Sequence, residues 1–318
     1  MFHVVLTDYM YDTITAFEKV FAREGVAFSA CQCKTKKEVM DATEYADGVL
    51  THFAKLDDDV IAHLKNCKVL GRSAIGLENI DMAAATRAGL PVVHVPRYCV
   101  QDVSDHVMMF LLALQKKLSI LDKAVHRGIW DYSMAKPINR LQGKTLGLMG
   151  LGAIAREVAK KAFAFGLNVI AYDPYVSHEG VPQGVVKVEF YDLLERSDII
   201  SIHSPLTDET AGMLNREAFA RMKRKPILIN TSRGGIIVEK DLAEALKNGD
   251  VSAAGLDVLA SERINLDNSL LNIDNVLITP HSAWYSEESI ENLQTLAAED
   301  VCNVLFGRPA NGIANTIR

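Results

Sequence analysis

Lys144-Thr145-Leu146-Gly147-Leu148-Met149-Gly150-Leu151-Gly152-Ala153-Ile154-Ala155-Arg156-Glu157-Val158-Ala159 reads as a strand, a tight glycine turn and the start of a helix. Gly150 permits the turn and Gly152 lets the backbone approach a pyrophosphate. The helix start at Ala153 and Ile154 offers free N–H groups and the positive end of a dipole. The third position of the fingerprint is Ala155, which its G/A form allows. A G-x-G-x-x-A alone is weak, but here a strand precedes it and a helix follows. The next strand, Leu167 to Tyr172, ends at Asp173, about 20 residues on, where an acid accepts both ribose hydroxyls. The same carboxylate repels a 2′-phosphate, and Pro174-Tyr175 bring no Arg to receive one, so the stretch predicts a βαβ unit for NAD rather than NADP.

The same alternation continues on both sides. Downstream, β-branched runs recur at Ile199 to His203, Pro226 to Asn230, Ala253 to Val258 and Val276 to Ile278. Upstream, Val4 to Thr7, Val26 to Ser29, Gly48 to Thr51, Val69 to Arg72 and Val92 to Val95 alternate with amphipathic stretches, which implies a second parallel sheet with right-handed crossovers. From Asp102 to Leu121 apolar residues recur at helical spacing without a breaker, predicting one long interdomain helix. A final helix over Glu287 to Phe306 is long enough to return to the first domain. The fold class is therefore α/β: a Rossmann NAD-binding domain over 99–287, and a discontinuous, flavodoxin-like substrate domain over 1–98 and 288–318.

Composition fits that plan. With 318 residues, 49% of them hydrophobic, the chain exceeds the usual size of one core. A net charge of -6 and the lack of any run of five or more Lys/Arg argue against nucleic acid. No apolar run approaches the roughly 20 residues that span a bilayer, and the start lacks the pattern of a secretion signal. Five scattered cysteines, of which only Cys31 and Cys33 lie close, predict neither a metal site nor a disulfide framework, and suggest a reduced, cytoplasmic protein.

Three segments at the ends of later strands carry chemistry: Asn230-Thr231-Ser232-Arg233-Gly234-Gly235, Gly255-Leu256-Asp257-Val258-Leu259-Ala260-Ser261-Glu262, and Thr279-Pro280-His281-Ser282-Ala283-Trp284. Reducing a 2-keto acid needs a cation for its carboxylate and carbonyl, an acid for the new alkoxide, and a carboxylate to keep that acid charged. Arg233, His281 and Glu262 are of those types.

Together with His203-Ser204-Pro205-Leu206-Thr207, these segments resemble the D-isomer-specific 2-hydroxyacid dehydrogenase family in order and spacing. His281 to Ser286 is especially similar to the branch that includes the C-terminal-binding-protein corepressors and their dehydrogenase relatives. The resemblance spans nearly the whole chain. It implies that Gly150, Gly152, Ala153, Ile154, Asp173, His203, Pro205, Thr231, Ser232, Arg233, Asp257 and His281 bind NAD, with Cys99 near the cofactor at the hinge. Leu70 to Asp81 matches the family's substrate loop, so the N–H groups of Ile75 and Gly76 are expected to hold the substrate carboxylate. Here Ala74 stands where Gly is frequent and Glu78 where Asp is usual. Arg233 and His281 are expected to complete the substrate contacts, with Trp284 walling the substrate side chain. A homodimer formed near Asp102 to Trp130 is expected, as is closure of the two domains around the substrate.

Four alternatives stay open. Formate dehydrogenase pairs its histidine with Gln, which Glu262 disfavours. Phosphite dehydrogenase uses a similar Arg, Glu and His set. A short-form phosphoglycerate dehydrogenase is compatible with His52, Lys55 and Arg72 meeting a phosphate. An NAD-sensing corepressor predicts long extensions, whereas the chain stops at Arg318, soon after its final helix, as a bare enzyme would.

Overall fold

In the computed structural model, which describes residues 1–317, the chain divides into two compact units, Met1–Cys99 with Ser286–Arg318, and Val100–Tyr285. In the first, β1 (His3–Leu6), β2 (Ala27–Ala30), β3 (Gly48–Thr51), β4 (Val69–Arg72) and β5 (Val92–Val93) form a parallel sheet in the order β2-β1-β3-β4-β5. The helices between them are α1 (Thr15–Glu24), α2 (Lys36–Thr43), α3 (Asp58–His63) and α4 (Met82–Arg87). Side-chain oxygens of Thr35, Asp57 and Asp81 accept the first-turn N–H groups of the last three, which is what starts each helix where it starts. One face of the sheet packs on α1 and on the long C-terminal helix Glu287–Leu305, through Phe17, Phe21, Leu293, Ala297 and Val301. The other face packs Val5, Val49 and Leu70 against Val39, Val60, Ile61 and Ala85.

In the second unit the predicted single helix is two, α5 (Val100–Gln115) and α6 (Leu118–His126). The break falls at Lys117, which takes a left-handed φ of 53° with no glycine or proline to announce it. The sheet then follows as β6 (Thr145–Met149), β7 (Asn168–Tyr172), β8 (Val185–Lys187), β9 (Ile199–Ile202), β10 (Ile227–Asn230), β11 (Ala253–Leu256) and β12 (Val276–Ile278). Its order is β12-β11-β10-β9-β6-β7-β8, with every pairing parallel. Helices α7 (Ala153–Ala164), α8 (Phe190–Arg196), α9 (Arg216–Ala220) and α10 (Glu239–Asn248) cross between strands, and the C-terminal helix Glu287–Leu305 is α11. Core layers lie on both faces of the sheet, one around Met149, Ile200, Leu228 and Phe219, the other around Leu146, Leu148, Val158 and Phe110. The strand order reverses between β6 and β9, and in an open α/β sheet such a switch point, at the carboxyl ends of the strands, is where ligands bind. No helix among the described residues is long and apolar enough to cross a membrane.

Candidate active site

The glycine turn sits at that switch point. Gly150 has φ +90°, and a Cβ there would lie 3.0 Å from the backbone of His203 and Ser204, so glycine is required both for the turn and for the close approach of the β9 loop. At Gly152, the N-cap of α7, nothing stands within 4 Å of the Cβ position, so the helix N-terminus opens onto free space. The first-turn N–H groups that follow, at Ala153 and Ile154, have no acceptor within the helix by its own geometry. Arg156 braces the loop, with Nε donating to Leu151 O at 2.9 Å and Nη2 to Gly180 O at 2.8 Å.

Asp173 already has partners within the chain. Its Oδ2 accepts from Leu151 N at 2.8 Å, and Oδ1 from Tyr175 N at 2.9 Å and Val176 N at 3.2 Å. The carboxylate thus ties the glycine turn to the loop after β7, and retains only part of its accepting capacity for a ligand. At the end of β9, His203 bonds the Ser201 hydroxyl at 2.9 Å, and burial lowers its pKa to about 4, so the ring is neutral near pH 7.

The β10 loop brings Thr231, Ser232 and Arg233 to the same edge. Asn230 fixes it, with Oδ1 accepting from Ser232 N at 3.0 Å and Nδ2 donating to Arg233 O at 3.0 Å. The Ser232 hydroxyl donates to Ser204 O, and Arg233 Nη1 to Ser232 O at 2.8 Å. Gly234 admits no side chain, since a Cβ would fall 2.0 Å from the Leu259 backbone. The Thr231 hydroxyl is buried with no hydrogen-bond partner among the described residues. A buried hydroxyl of that kind costs free energy until something outside the chain satisfies it. The open helix N-terminus after β6 and this orphaned hydroxyl after β10, two strands away in the same sheet, fit the pyrophosphate-to-nicotinamide span of a dinucleotide.

His281 and Glu262 meet, Nδ1 to Oε1 at 2.6 Å, in a pair whose side chains are 40% and 64% exposed. With Nδ1–H donated to the carboxylate, Nε2 is the ring atom left to exchange a proton outward. His281 itself holds a left-handed φ of 51°. The backbone there is held by Asp257, whose carbonyl accepts from His281 N at 2.8 Å, and whose carboxylate accepts from Ser282 N and Ala283 N, each at 2.9 Å. Asp257, 2% exposed, was expected beside the nicotinamide; its carboxylate is a staple for the His281 turn. Trp284 caps the turn from the far side, with Nε1 donating to His281 O at 2.8 Å.

Ile75, Gly76 and Cys99 belong to the other unit. The loop of Ile75 and Gly76 follows β4 and is anchored by Ala74 O, which accepts from Val95 N at 3.0 Å, and by Ile75 O, which accepts from His94 Nδ1 at 2.7 Å. Cys99 is buried. Arg72 Nε donates to His52 O at 3.1 Å and Nη1 to Glu78 at 2.5 Å, while the buried His52 ring bonds Tyr11 at 2.8 Å. The sequence reading gives no role to Asn230, Arg156 or His106: the first two act through bonds to the backbone of their own loops, and His106 acts through Thr279, 173 positions away.

The fold and this edge have the form of a dinucleotide-binding domain, with a glycine turn at the switch point and a His281–Glu262 pair in the same unit. Residues 108–283 match the model of the D-isomer specific 2-hydroxyacid dehydrogenase, NAD binding domain, and the chain belongs to that family. It is 40% identical over 278 residues to a D-3-phosphoglycerate dehydrogenase of Archaeoglobus fulgidus, covering 87% of this chain and 53% of the relative. It is 35% identical to a hydroxypyruvate reductase of Blautia hydrogenotrophica, covering 91% of each. The chain thus spans about half the length of the phosphoglycerate dehydrogenases it matches. The NAD complex of a D-isomer specific 2-hydroxyacid dehydrogenase from Lactobacillus delbrueckii ssp. bulgaricus superposes with a TM-score of 0.85 at 25% identity, over 98% of this chain and 100% of that one.

Proposed function

We propose that this chain is an NAD-dependent dehydrogenase interconverting a 2-keto acid and a D-2-hydroxy acid. The observation that carries it is the His281–Glu262 pair at 2.6 Å, in the unit whose sheet also carries the glycine turn. A bound NADH supplies the hydride. Gly150, Gly152, Ala153 and Ile154 receive its pyrophosphate, Asp173 its ribose, His203 and Pro205 flank its adenosine, and Thr231, Ser232 and Asp257 line its nicotinamide end. Arg233 places two N–H groups on the substrate carboxylate and carbonyl oxygen, and the N–H groups of Ile75 and Gly76 hold the carboxylate. His281 Nε2 delivers the proton to the oxygen while Glu262 keeps Nδ1–H oriented. Trp284 spends its N–H on the His281 carbonyl and offers its apolar ring to the substrate side chain. Cys99 lies near the cofactor at the hinge.

NADH consumption with a panel of 2-keto acids tests the proposal: at least one small keto acid is turned over, and failure of all of them with both NADH and NADPH contradicts it. The A. fulgidus relative favours a second reading, oxidation of a phosphorylated substrate. Against it, Arg72 already serves Glu78 and the His52 carbonyl, and the His52 ring is buried. A higher kcat/KM for 3-phosphohydroxypyruvate than for hydroxypyruvate reverses the preference. The proposal extends to a cytoplasmic homodimer. Leu118, Val125, Trp130, Tyr132 and Met134 leave an apolar run exposed along α6 and the segment after it, the kind of surface that a second copy covers.

A further inference from the structure

The turn that carries His281 hangs from a partly buried hydrogen-bond chain that begins on another element. Phe110 of α5 lies against Gly255 of β11, where a Cβ would come within 2.7 Å of the ring. That contact sets the register of the helix on the sheet. His106, one helical turn earlier and edge-on to Phe110 at 4.8 Å between centroids, then meets the end of β12, with Nε2 3.0 Å from Thr279 Oγ1. Thr279 Oγ1 in turn lies 2.5 Å from Asp257 Oδ1. A hydroxyl has one proton and a carboxylate only accepts, so Thr279 donates to Asp257 and accepts from His106 Nε2–H. Burial lowers the His106 pKa, against a smaller opposing pull from Asp257, and the ring is a neutral donor near pH 7. Asp257, so oriented, accepts the Ser282 and Ala283 N–H groups, and the non-glycine φ of +51° at His281 is the kind of conformation that persists only where its surroundings over-determine it.

We propose that His106 and Thr279 are positioning residues for the acid–base histidine: the chain from His106 Nε2–H through the Thr279 hydroxyl to Asp257 fixes the turn, and with it the place of the His281 ring against Glu262. In its kinetic arm this rests on the dehydrogenase reading; a structural arm stands without it. The chain has two tryptophans. Trp130 is 90% exposed, and Trp284 bonds the His281 carbonyl at 2.8 Å, so in a Trp130→Phe background fluorescence reports the turn alone. Thr279→Val removes the hydroxyl at nearly constant volume, Thr279→Ser keeps it, and His106→Leu removes the first donor.

Acrylamide quenching of ligand-free Trp284 is expected to rise in Thr279→Val and His106→Leu and to stay at the parent value in Thr279→Ser. With keto acid, the first two lose about tenfold or more in kcat, as a displaced catalytic group does, while KM for NADH stays within about twofold. If the parent turns over no keto acid, the dehydrogenase reading fails and quenching alone decides. If Thr279→Val does not fold, the comparison passes to His106→Leu. Parent-like quenching in the folded variant overturns the proposal whatever the activity.

Discussion

Each unit contains the same staple, and only one of the two presents a histidine to solvent. After β1, Asp8 accepts from Thr51 Oγ1 at 3.1 Å, Phe53 N at 2.7 Å and Ala54 N at 3.1 Å, all at the end of the neighbouring β3. After β11, Asp257 accepts from Thr279 Oγ1, Ser282 N and Ala283 N at the end of the neighbouring β12. Burial alone raises the Asp8 carboxyl, but its donors outweigh burial and hold it below the ordinary range. In both places an acid just past one parallel strand fixes the loop past the next, and a histidine follows the threonine. His52, 8% exposed, turns inward to Tyr11 and Ser73, and burial lowers its pKa. His281, beyond Pro280, turns outward to Glu262. One staple turns its histidine into the core, and the other turns its histidine out to Glu262.

Replacing each histidine separates the two roles. His281→Asn is expected to lower kcat by roughly 10²–10⁴ while the melting temperature barely moves. His52→Asn is expected to cost about 1–3 kcal/mol of stability, because it leaves buried partners unsatisfied, with the smaller loss of kcat. Steady-state kinetics beside thermal melts check the pair, and the opposite ranking breaks the comparison. Arg233→Lys comes next: a point charge holds the anion without the two-pronged geometry, so kcat falls by roughly 10²–10³ as KM for keto acid rises, and NADH affinity holds. Retained kcat in that variant removes Arg233 from the reaction.

Much of this was legible in the sequence, and what was not has a common cause. The glycine turn, Asp173, and the Arg233, Glu262 and His281 set stand in short segments whose chemistry is local. The strands of the first unit begin and end within a residue or two of the predicted runs, and β1, β3, β4 and β5 do so because parallel strands buried on both faces read as continuous apolar stretches. The break at Lys117 and the short edge strand β8, two of whose three residues are not buried, carry no such signal. The bonds of Asp173 to Leu151 and of Asp257 to Ser282 and Ala283 go to backbone N–H groups of distant loops, and His106 meets the Thr279 hydroxyl 173 positions away, which no local pattern records.

Asp173→Ala probes the double duty at the glycine turn. The ratio of kcat/KM for NADH over NADPH is expected to fall roughly tenfold, a lost hydrogen bond to a charged group, together with a lower melting temperature from the three freed N–H groups. A changed ratio without a stability loss limits Asp173 to the ribose. The smallest effect expected is on acid stability. Burial puts His203 at about 4 against an ordinary 6.5, so between those values the unfolded chain binds the extra proton. Stability present above pH 6.5 is therefore lost as pH falls toward 4. Urea unfolding at the two ends of that window checks it, and His203→Asn narrows the difference; an unchanged difference places the titrating group elsewhere.

The central claim is hydride delivery to a keto carbon with D outcome, and its most direct test is isotopic. The purified chain is given NADH deuterated at C4 together with the best keto acid of the panel, and the hydroxy acid is analysed by mass and on a chiral column. The account predicts deuterium at C2 and the D configuration. An L product, or one without deuterium from either face of the labelled cofactor, contradicts it.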